Sequence, residues 1–209
     1  MSLLELSPDQ LLTTTRTVRK RLDLERPVSR ELIRELIEIA VQAPSGGNGQ
    51  TWHWLVITDP EKRAVIGEYY RRSLQQYFAD RDAIAGTSAD DVQGRVRSSS
   101  AYLGEHMGDV PALVIPCIEA ANLPEGNQAG LWGSILPAAW SYMLAARSRG
   151  LGTAWTTLHL RYEREISELL KLPDNLRQAV LIPTAYSIGT NFKPAPRKPL
   201  DDILHFDTW

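Results

Sequence analysis

The spacing of apolar residues changes several times along the chain, and each change marks an element. Leu32, Ile33, Leu36, Ile37, Ala40 and Val41 recur at helical intervals, while Arg30, Arg34, Glu35 and Glu38 take the other side. That pattern predicts an amphipathic helix opened by Pro27-Val28-Ser29 and ended by Pro44. Upstream, Ser7-Pro8-Asp9-Gln10 combines an N-cap serine, a proline at the first helical position and a glutamine placed to close a capping box, so a short helix is expected to about Thr15. His53 to Thr58 is an aromatic and β-branched run closed by Asp59-Pro60, which predicts a strand, a turn and then a helix through about Phe78. Asp80 to Ser100 is polar and only weakly periodic.

The second half is more apolar. Ala112 to Ile118 reads as a buried strand in which Pro116 implies a bulge or an edge position. Leu131 to Ser148 carries apolar residues on nearly every side and no charge before Arg147, so it is expected to be a helix buried almost all round and kinked at Pro137. Gly150 sits where a left-handed C-cap belongs. Beyond it, Thr153 to Thr157 reads as a strand, Tyr162 to Leu170 as an amphipathic helix stopped by Pro173, and Ala179 to Ser187 as the last long strand. Pro194, Pro196 and Pro199 then impose an extended segment, followed by the apolar-aromatic tail Ile203 to Trp209, which needs a cover. Helices and strands alternate without internal repeats or a flexible linker, so residues 1–209 are expected to form one layered α/β or α+β domain.

Composition narrows the function classes. With 209 residues, 43% hydrophobic and 23% charged, the chain can bury a sizeable core, and its formal charge of -2 projects no positive field toward nucleic acid or an anionic membrane. The longest apolar stretches fall short of the roughly 20 residues that cross a bilayer as a helix. One cysteine, Cys117, cannot form an internal disulfide, and Met1 to Gln10 do not resemble a secretory signal, so a reducing, cytoplasmic location is expected. His53, His106, His159 and His205 are scattered, which argues against a metal site, and Cys117 in its apolar strand reads as inert packing. Neither a Gly-x-Ser-x-Gly elbow nor a Walker loop is present.

Four places carry candidate chemistry. Arg16-Thr17-Val18-Arg19-Lys20-Arg21 sets Arg16 and Arg19 beside a hydroxyl, a donor set suited to a phosphate monoester and an electron-rich ring, and equally the composition of a solvated basic turn. Ala43-Pro44-Ser45-Gly46-Gly47-Asn48-Gly49-Gln50 crowds glycine and amides at a helix-to-strand junction, where backbone can approach a ligand closely or simply form a flexible loop. Gly150-Leu151-Gly152 follows a helix and lacks a third glycine, so it is a helix cap and not a dinucleotide fingerprint; Trp155 just after it is the tryptophan expected nearest a planar ligand. Arg197 stands on the stiff proline segment.

Taken in order, Arg16-Thr17-Val18-Arg19, the Ala43–Gln50 loop entering the Trp52 strand, Gly150-Leu151-Gly152 and Arg197 resemble the nitroreductase family of flavoproteins over nearly the whole chain. Thr13 to Asp23 and Trp155 to Leu160 look most like an actinobacterial branch. The resemblance implies an α+β, three-layer fold with a mixed central sheet flanked by helices, an intertwined homodimer, and non-covalent FMN at the interface. It implies that Arg16, Thr17 and Arg197 hold the phosphate and that Arg19 lies near the pyrimidine side of the ring, where it would stabilise reduced flavin. Pro44, Ser45 and Gly46, with Asn48 and Gln50 behind them, would come from the other subunit, and Thr156, Thr157 and Leu158 would line the opposite ring face. Many members carry arginine where Thr15 stands and proline where Thr51 stands. The implied activity is hydride transfer from NAD(P)H through FMN to nitroaromatics, quinones or related electron-poor rings by a ping-pong route, with no catalytic side chain and no metal. The alternatives are a flavin-binding or sequestering protein without turnover, and a flavin-dependent dehalogenase or flavin-cleaving enzyme of the same fold. Residues 201–209 are expected to pack on the partner subunit.

Overall fold

A computed structural model of the chain describes residues 3–82 and 92–209. Its helices start where the capping pattern places them. Ser7 Oγ accepts from the Gln10 N–H at 3.2 Å while the Ser7 N–H donates to Gln10 Oε1 at 2.8 Å, closing the capping box of α1 (Pro8–Thr14). Ser29 caps α2 (Arg30–Ala40) through the Leu32 N–H.

The centre of the molecule is β2 (Ala112–Glu119), buried at every position but the last. Side chains alternate across a strand, so a strand apolar at each residue must be covered on both faces. Leu113, Ile115 and Cys117 pack with Ile66, Tyr70 and Leu74 of α3 (Pro60–Asp82), Leu103 of α4 (Val92–His106) and Ile166 of α6 (Glu163–Leu170). Ala112 and Val114 pack on the other side with Ile33 and Leu36 of α2 and Tyr142 and Met143 of α5 (Ala129–Ser148). The result is the three-layer α+β arrangement. The sheet runs β1 (Trp52–Ile57), β2, β5 (Ile182–Tyr186), β3 (Leu151–Thr153), and β4 (Leu176–Gln178) also pairs with β2. These ladders are antiparallel. The parallel component is a single bridge between Thr17 and Thr153, with the Val18 N–H donating to Thr153 O at 2.8 Å.

Pro116 lies in this interior strand, and the register shows how it is tolerated. Against β1 the pairing is continuous, with Trp54 opposite Pro116. On the other side Val114 faces Ile182 and Cys117 faces Gln178, so two residues, Ile115 and Pro116, oppose three, Ala179 to Leu181. The bulge sits on the neighbour, not on β2. A residue's N–H and C=O point to the same side of a strand, and Pro116 O accepts from the Ala179 N–H at 2.9 Å, so the missing N–H falls into the bulge. The same irregularity shortens the expected strand Ala179 to Ser187 to β5 and separates it from β4, which lies before Ala179 and outside the expected range. The expected Thr153 to Thr157 strand is displaced toward the N-terminus: β3 covers Leu151–Thr153, and Thr156 keeps an isolated bridge to Leu181 inside the bulged stretch.

Helix α5 runs unbroken through Pro137, and between Leu131 and Ser148 only Gly133 and Trp140 are exposed. The Tyr142 hydroxyl is paired with Thr184 Oγ1 at 3.1 Å in its buried face. The polar stretch from Asp80 to Ser100 is helical wherever it is described, as the end of α3 and the start of α4. Its weak periodicity has a physical origin, since α4 buries only Leu103 and Gly104. A Cβ at Gly67 would lie 2.6 Å from Gly108 N, so glycine there lets α3 close on the turn before β2. The tail is uncovered in the single chain, with Phe206 at 79% and Trp209 at 101% exposure. Among the described residues no helix is long and apolar enough to cross a membrane.

Candidate functional site

Tyr70, Leu74, Tyr77 and Arg81 are spaced i, i+4, i+7 and i+11 and therefore share one face of α3. That face, α4 and the segment Ala154–Leu158 enclose a cavity of about 930 Å³, which Arg19 closes from the N-terminal side. The volume falls within the range of about 300–1,000 Å³ typical of small-molecule sites. Trp155, Thr156, Thr157 and Leu158 all line it. They reach it because the chain leaves the sheet after Thr153 and turns into the 3-10 segment Leu158–Tyr162.

The electrostatics of the cavity are unbalanced. Burial draws the Arg19 guanidinium below the ordinary arginine range, an effect partly offset by Tyr70. Its Nη1 donates to Ser99 Oγ at 3.2 Å, and no carboxylate pairs with it among the described residues. Burial likewise raises the Tyr70 hydroxyl, opposed by a hydrogen bond with the Thr156 side chain and by the nearby Arg19 charge. A desolvated cation without an anion is costly unless a ligand supplies the negative charge.

The remaining sequence candidates fall into two groups. Arg16 Nη1 donates to Lys193 O at 2.8 Å, which sets the Arg197 segment alongside it. Arg21 donates to Ile188 O and Asn191 O, and Arg147 to Thr190 O, with the Phe192 ring 4.2 Å and 4.9 Å from their guanidinium carbons. Three arginines thus lash down an irregular segment that ends in Arg197. Arg197 Nη1 donates to the neighbouring Pro196 O at 3.1 Å, and no hydrogen bond joins Arg16 and Arg197 among the described residues. The Thr17 side chain is exposed, and its backbone makes the bridge to Thr153. Thr15 directs its Oγ1 back to Leu11 O at 2.6 Å, so it offers no substitute for an arginine.

The Pro44–Gln50 loop stands apart from the cavity and packs on α5, where the Gly46 N–H donates to Ser134 Oγ at 2.9 Å. Gly47, Asn48 and Gln50 all have φ between 50° and 57°, and the Gln50 N–H donates to Ser45 Oγ while the Gln50 amide donates to Asn48 Oδ1. The loop is therefore a shaped, exposed surface and not a slack connection. Cys117 is buried, and burial pushes its thiol up to about 12, which leaves it unreactive. Among the described residues no cluster of three His, Cys, Asp or Glu side chains is arranged to hold a metal.

Sequence reasoning did not assign Tyr70, Tyr77, Phe78, Arg81 and Arg97 to the site, although all of them line the cavity. The i, i+4, i+7, i+11 row on α3 was the available signal; the interleaved charges Asp80, Arg81 and Asp82 mask it.

The profile of the Nitroreductase family matches residues 12–186. The chain belongs to the nitroreductase family. It is 25% identical over 202 residues to the iodotyrosine deiodinase of Thermotoga neapolitana, covering 92% of this chain and 94% of that protein. It is 28% identical over 142 residues to the 5,6-dimethylbenzimidazole synthase of Rhodospirillum rubrum, covering 63% and 61%. In three dimensions it matches the FMN- and NADPH-dependent nitroreductase NfnB from Sphigopyxis sp. strain HMH with a TM-score of 0.69 at 21% identity, over 98% of this chain and all of that one.

His159 yields a pH prediction. It is fully buried directly after Leu158, neither ring nitrogen has a partner, and burial pushes its pKa down to about 3. The unfolded chain binds this proton near the ordinary histidine value of about 6.5 and the folded chain does not, so stability falls as pH drops through that window. Between pH 7 and 5.5 wild type should lose about 1 kcal/mol from this group. Urea unfolding of wild type and His159→Phe at both pH values checks it: the variant should lose correspondingly less, and equal losses would remove His159 as the source.

Proposed function

We propose that the protein is an FMN-dependent oxidoreductase that passes a hydride from NAD(P)H to nitroaromatic, quinone or related electron-poor acceptors. The observation that carries this reading is Arg19, a half-buried cation with no paired carboxylate among the described residues, lining a ring-sized, aromatic-lined cavity in a chain of the nitroreductase family. The donor set fits the cofactor: Arg16, Thr17 and Arg197 have donors to give a phosphate, and Arg19 answers the negative charge that two-electron reduction places on the pyrimidine side of the ring. FMN, when bound, supplies hydride transfer in two half-reactions, donor and acceptor entering in turn.

The chain's own residues then bind and orient. Arg19 holds its charge beside the ring, and its bond to Ser99 aims the guanidinium. Thr156, Thr157 and Leu158 would cover one ring face, and the Leu158 N–H donates to Thr156 Oγ1 at 3.4 Å. The aromatic face of α3 excludes water from the other side of the cavity. For a nitro acceptor the balance is ArNO2 + NAD(P)H + H+ giving ArNO + NAD(P)+ + H2O, and for a quinone the product is the hydroquinone. In this reading Pro44, Ser45, Gly46, Asn48 and Gln50 serve the site of a second copy.

Purified protein should be yellow, and NADH or NADPH should bleach it without air, with colour restored by a nitro or quinone acceptor. A protein that takes up no FMN would end the reading, whereas bound FMN that no nicotinamide reduces would indicate a sequestering role. Bleaching followed by reoxidation with a halogenated phenol alone would instead favour dehalogenation.

Arg197→Ala should weaken FMN roughly ten- to hundredfold, the usual cost of a charge-assisted contact, and leave riboflavin affinity nearly unchanged. Fluorescence titration of both flavins measures this, and equal weakening would refute the phosphate role.

We also propose an obligate homodimer with two sites. Ile203, Leu204, Phe206 and Trp209 expose more apolar surface than a lone chain usually tolerates at one end, and a partner subunit would cover it. Light scattering with flavin absorbance should give a dimer with one FMN per chain, and truncation before Ile203 should weaken both together. A stable monomer holding a full complement of FMN would contradict it.

A further inference from the structure

On α3 three consecutive charges, Asp80, Arg81 and Asp82, have different fates, and the last two line the cavity. Asp80 pairs with Arg161 at 3.0 Å, and Asp82 takes a two-point contact from Arg97 at 2.7 and 2.8 Å. Both acids flanking Arg81 are therefore claimed by other arginines, and among the described residues Arg81 has no carboxylate. It donates instead to the Tyr77 hydroxyl at 3.2 Å, with its guanidinium carbon 5.8 Å from that ring. An arginine in the last turn of a helix ordinarily reaches forward to the terminal carbonyls or to water; Arg81 folds back one turn along the cavity face.

The cavity as a whole is lined by three arginines and one aspartate, in a chain whose formal charge is -2. Arg97 is neutralised by Asp82, and the proposed function assigns Arg19 to the flavin. Among the described residues Arg81 is the lining cation left over, and the aromatic surface beside it is the Tyr77 ring, since Phe78 is tilted 46° to that ring, with centroids 6.0 Å apart, and is covered by Arg97 at 4.3 Å. A flat ring placed on that surface would bring a substituent within reach of a guanidinium, the side chain best shaped to take both oxygens of a carboxylate.

We propose that Arg81 makes this an acceptor site for aromatic acids: a planar electron-poor ring carrying a carboxylate, with the carboxylate on Arg81 and the ring against Tyr77. The inference rests on the proposed function for its chemistry and on the cavity alone for its binding.

The test separates the two. Benzoate, which cannot be reduced, and neutral benzyl alcohol are titrated by calorimetry into wild type, Arg81→Gln and Arg81→Lys, each with and without FMN. Wild type should prefer benzoate, Arg81→Gln should weaken benzoate about tenfold with benzyl alcohol unchanged, and Arg81→Lys, which keeps the charge but loses the two-point fit, should fall between the two. In turnover, kcat/KM for 4-nitrobenzoate should fall by a similar factor in Arg81→Gln, while nitrobenzene is unaffected. Undiminished benzoate binding in Arg81→Gln overturns the proposal. So does a loss shared equally by benzyl alcohol, which would mark a packing role, and so does a raised KM for the nicotinamide with benzoate unchanged, which would assign Arg81 to the donor. A protein that binds benzoate through Arg81 yet reduces no acceptor would retain this inference and lose the proposed function.

Discussion

Everything in this molecule depends on β2 being apolar on both faces. A half-buried strand can tolerate water on one side; Ala112 to Ile118 cannot, because Leu113, Ile115 and Cys117 point one way and Ala112 and Val114 the other. Two helical layers must be recruited, and they come from distant parts of the chain, α3 with α4 and α6 on one side and α2 with α5 on the other. The cavity is a by-product of that requirement. On the α3 face Ile66, Tyr70 and Leu74 seal the core, and from Tyr70 onward the same face, with Leu74, Tyr77 and Arg81, also lines the cavity. What packs at one end of the helix therefore lines a space at the other.

The irregular segments gain their shape from the same sheet. The bulge opposite Pro116 splits β4 from β5, leaves Thr156 with one bridge and releases Thr157 and Leu158 toward the cavity. A proline that cannot donate is thus linked, through the register of its neighbour, to the wall of the site. At the opposite edge, Thr17 bridges to Thr153 beside β3, which carries Arg19 two residues on to the cavity. The two halves of the proposed flavin cradle are held together by one strand of three residues.

Much of this was legible in the residues. The capping box at Ser7, the amphipathic repeat of α2, the strand before Asp59-Pro60 and the apolar run of β2 are local patterns, and local patterns report local structure directly. Arg19 and Thr156 to Leu158 came from a motif resemblance, and the fold brings them to one cavity. What sequence could not carry was non-local. The α3 wall looks polar because Asp80 and Asp82 satisfy arginines 81 and 15 positions away in the chain, at Arg161 and Arg97. The Arg21 and Arg147 bonds that tie down residues 188–191 join parts of the chain with no shared periodicity. The late start of the last strand at Ile182, and the separate β4 before it, needed the register against β2, which no single strand records.

Charge placement gives the final step. A basic cavity in a slightly acidic chain costs stability, since the like charges Arg19, Arg81 and Arg97 share one space. The structure relieves only part of that cost. Asp82 neutralises Arg97, and Asp80, the acid on the other side of Arg81 in the sequence, pairs with Arg161. Had Asp80 paired with Arg81, the cavity would hold a single uncompensated cation, enough for a flavin and nothing more. Its pairing elsewhere leaves two, one desolvated beneath Tyr70 and one at the mouth on Tyr77. Two separated cations along one aromatic wall suit two anionic groups on ligands that share the space, one resident and one exchanging, and an enzyme that alternates partners over a fixed ring has that need.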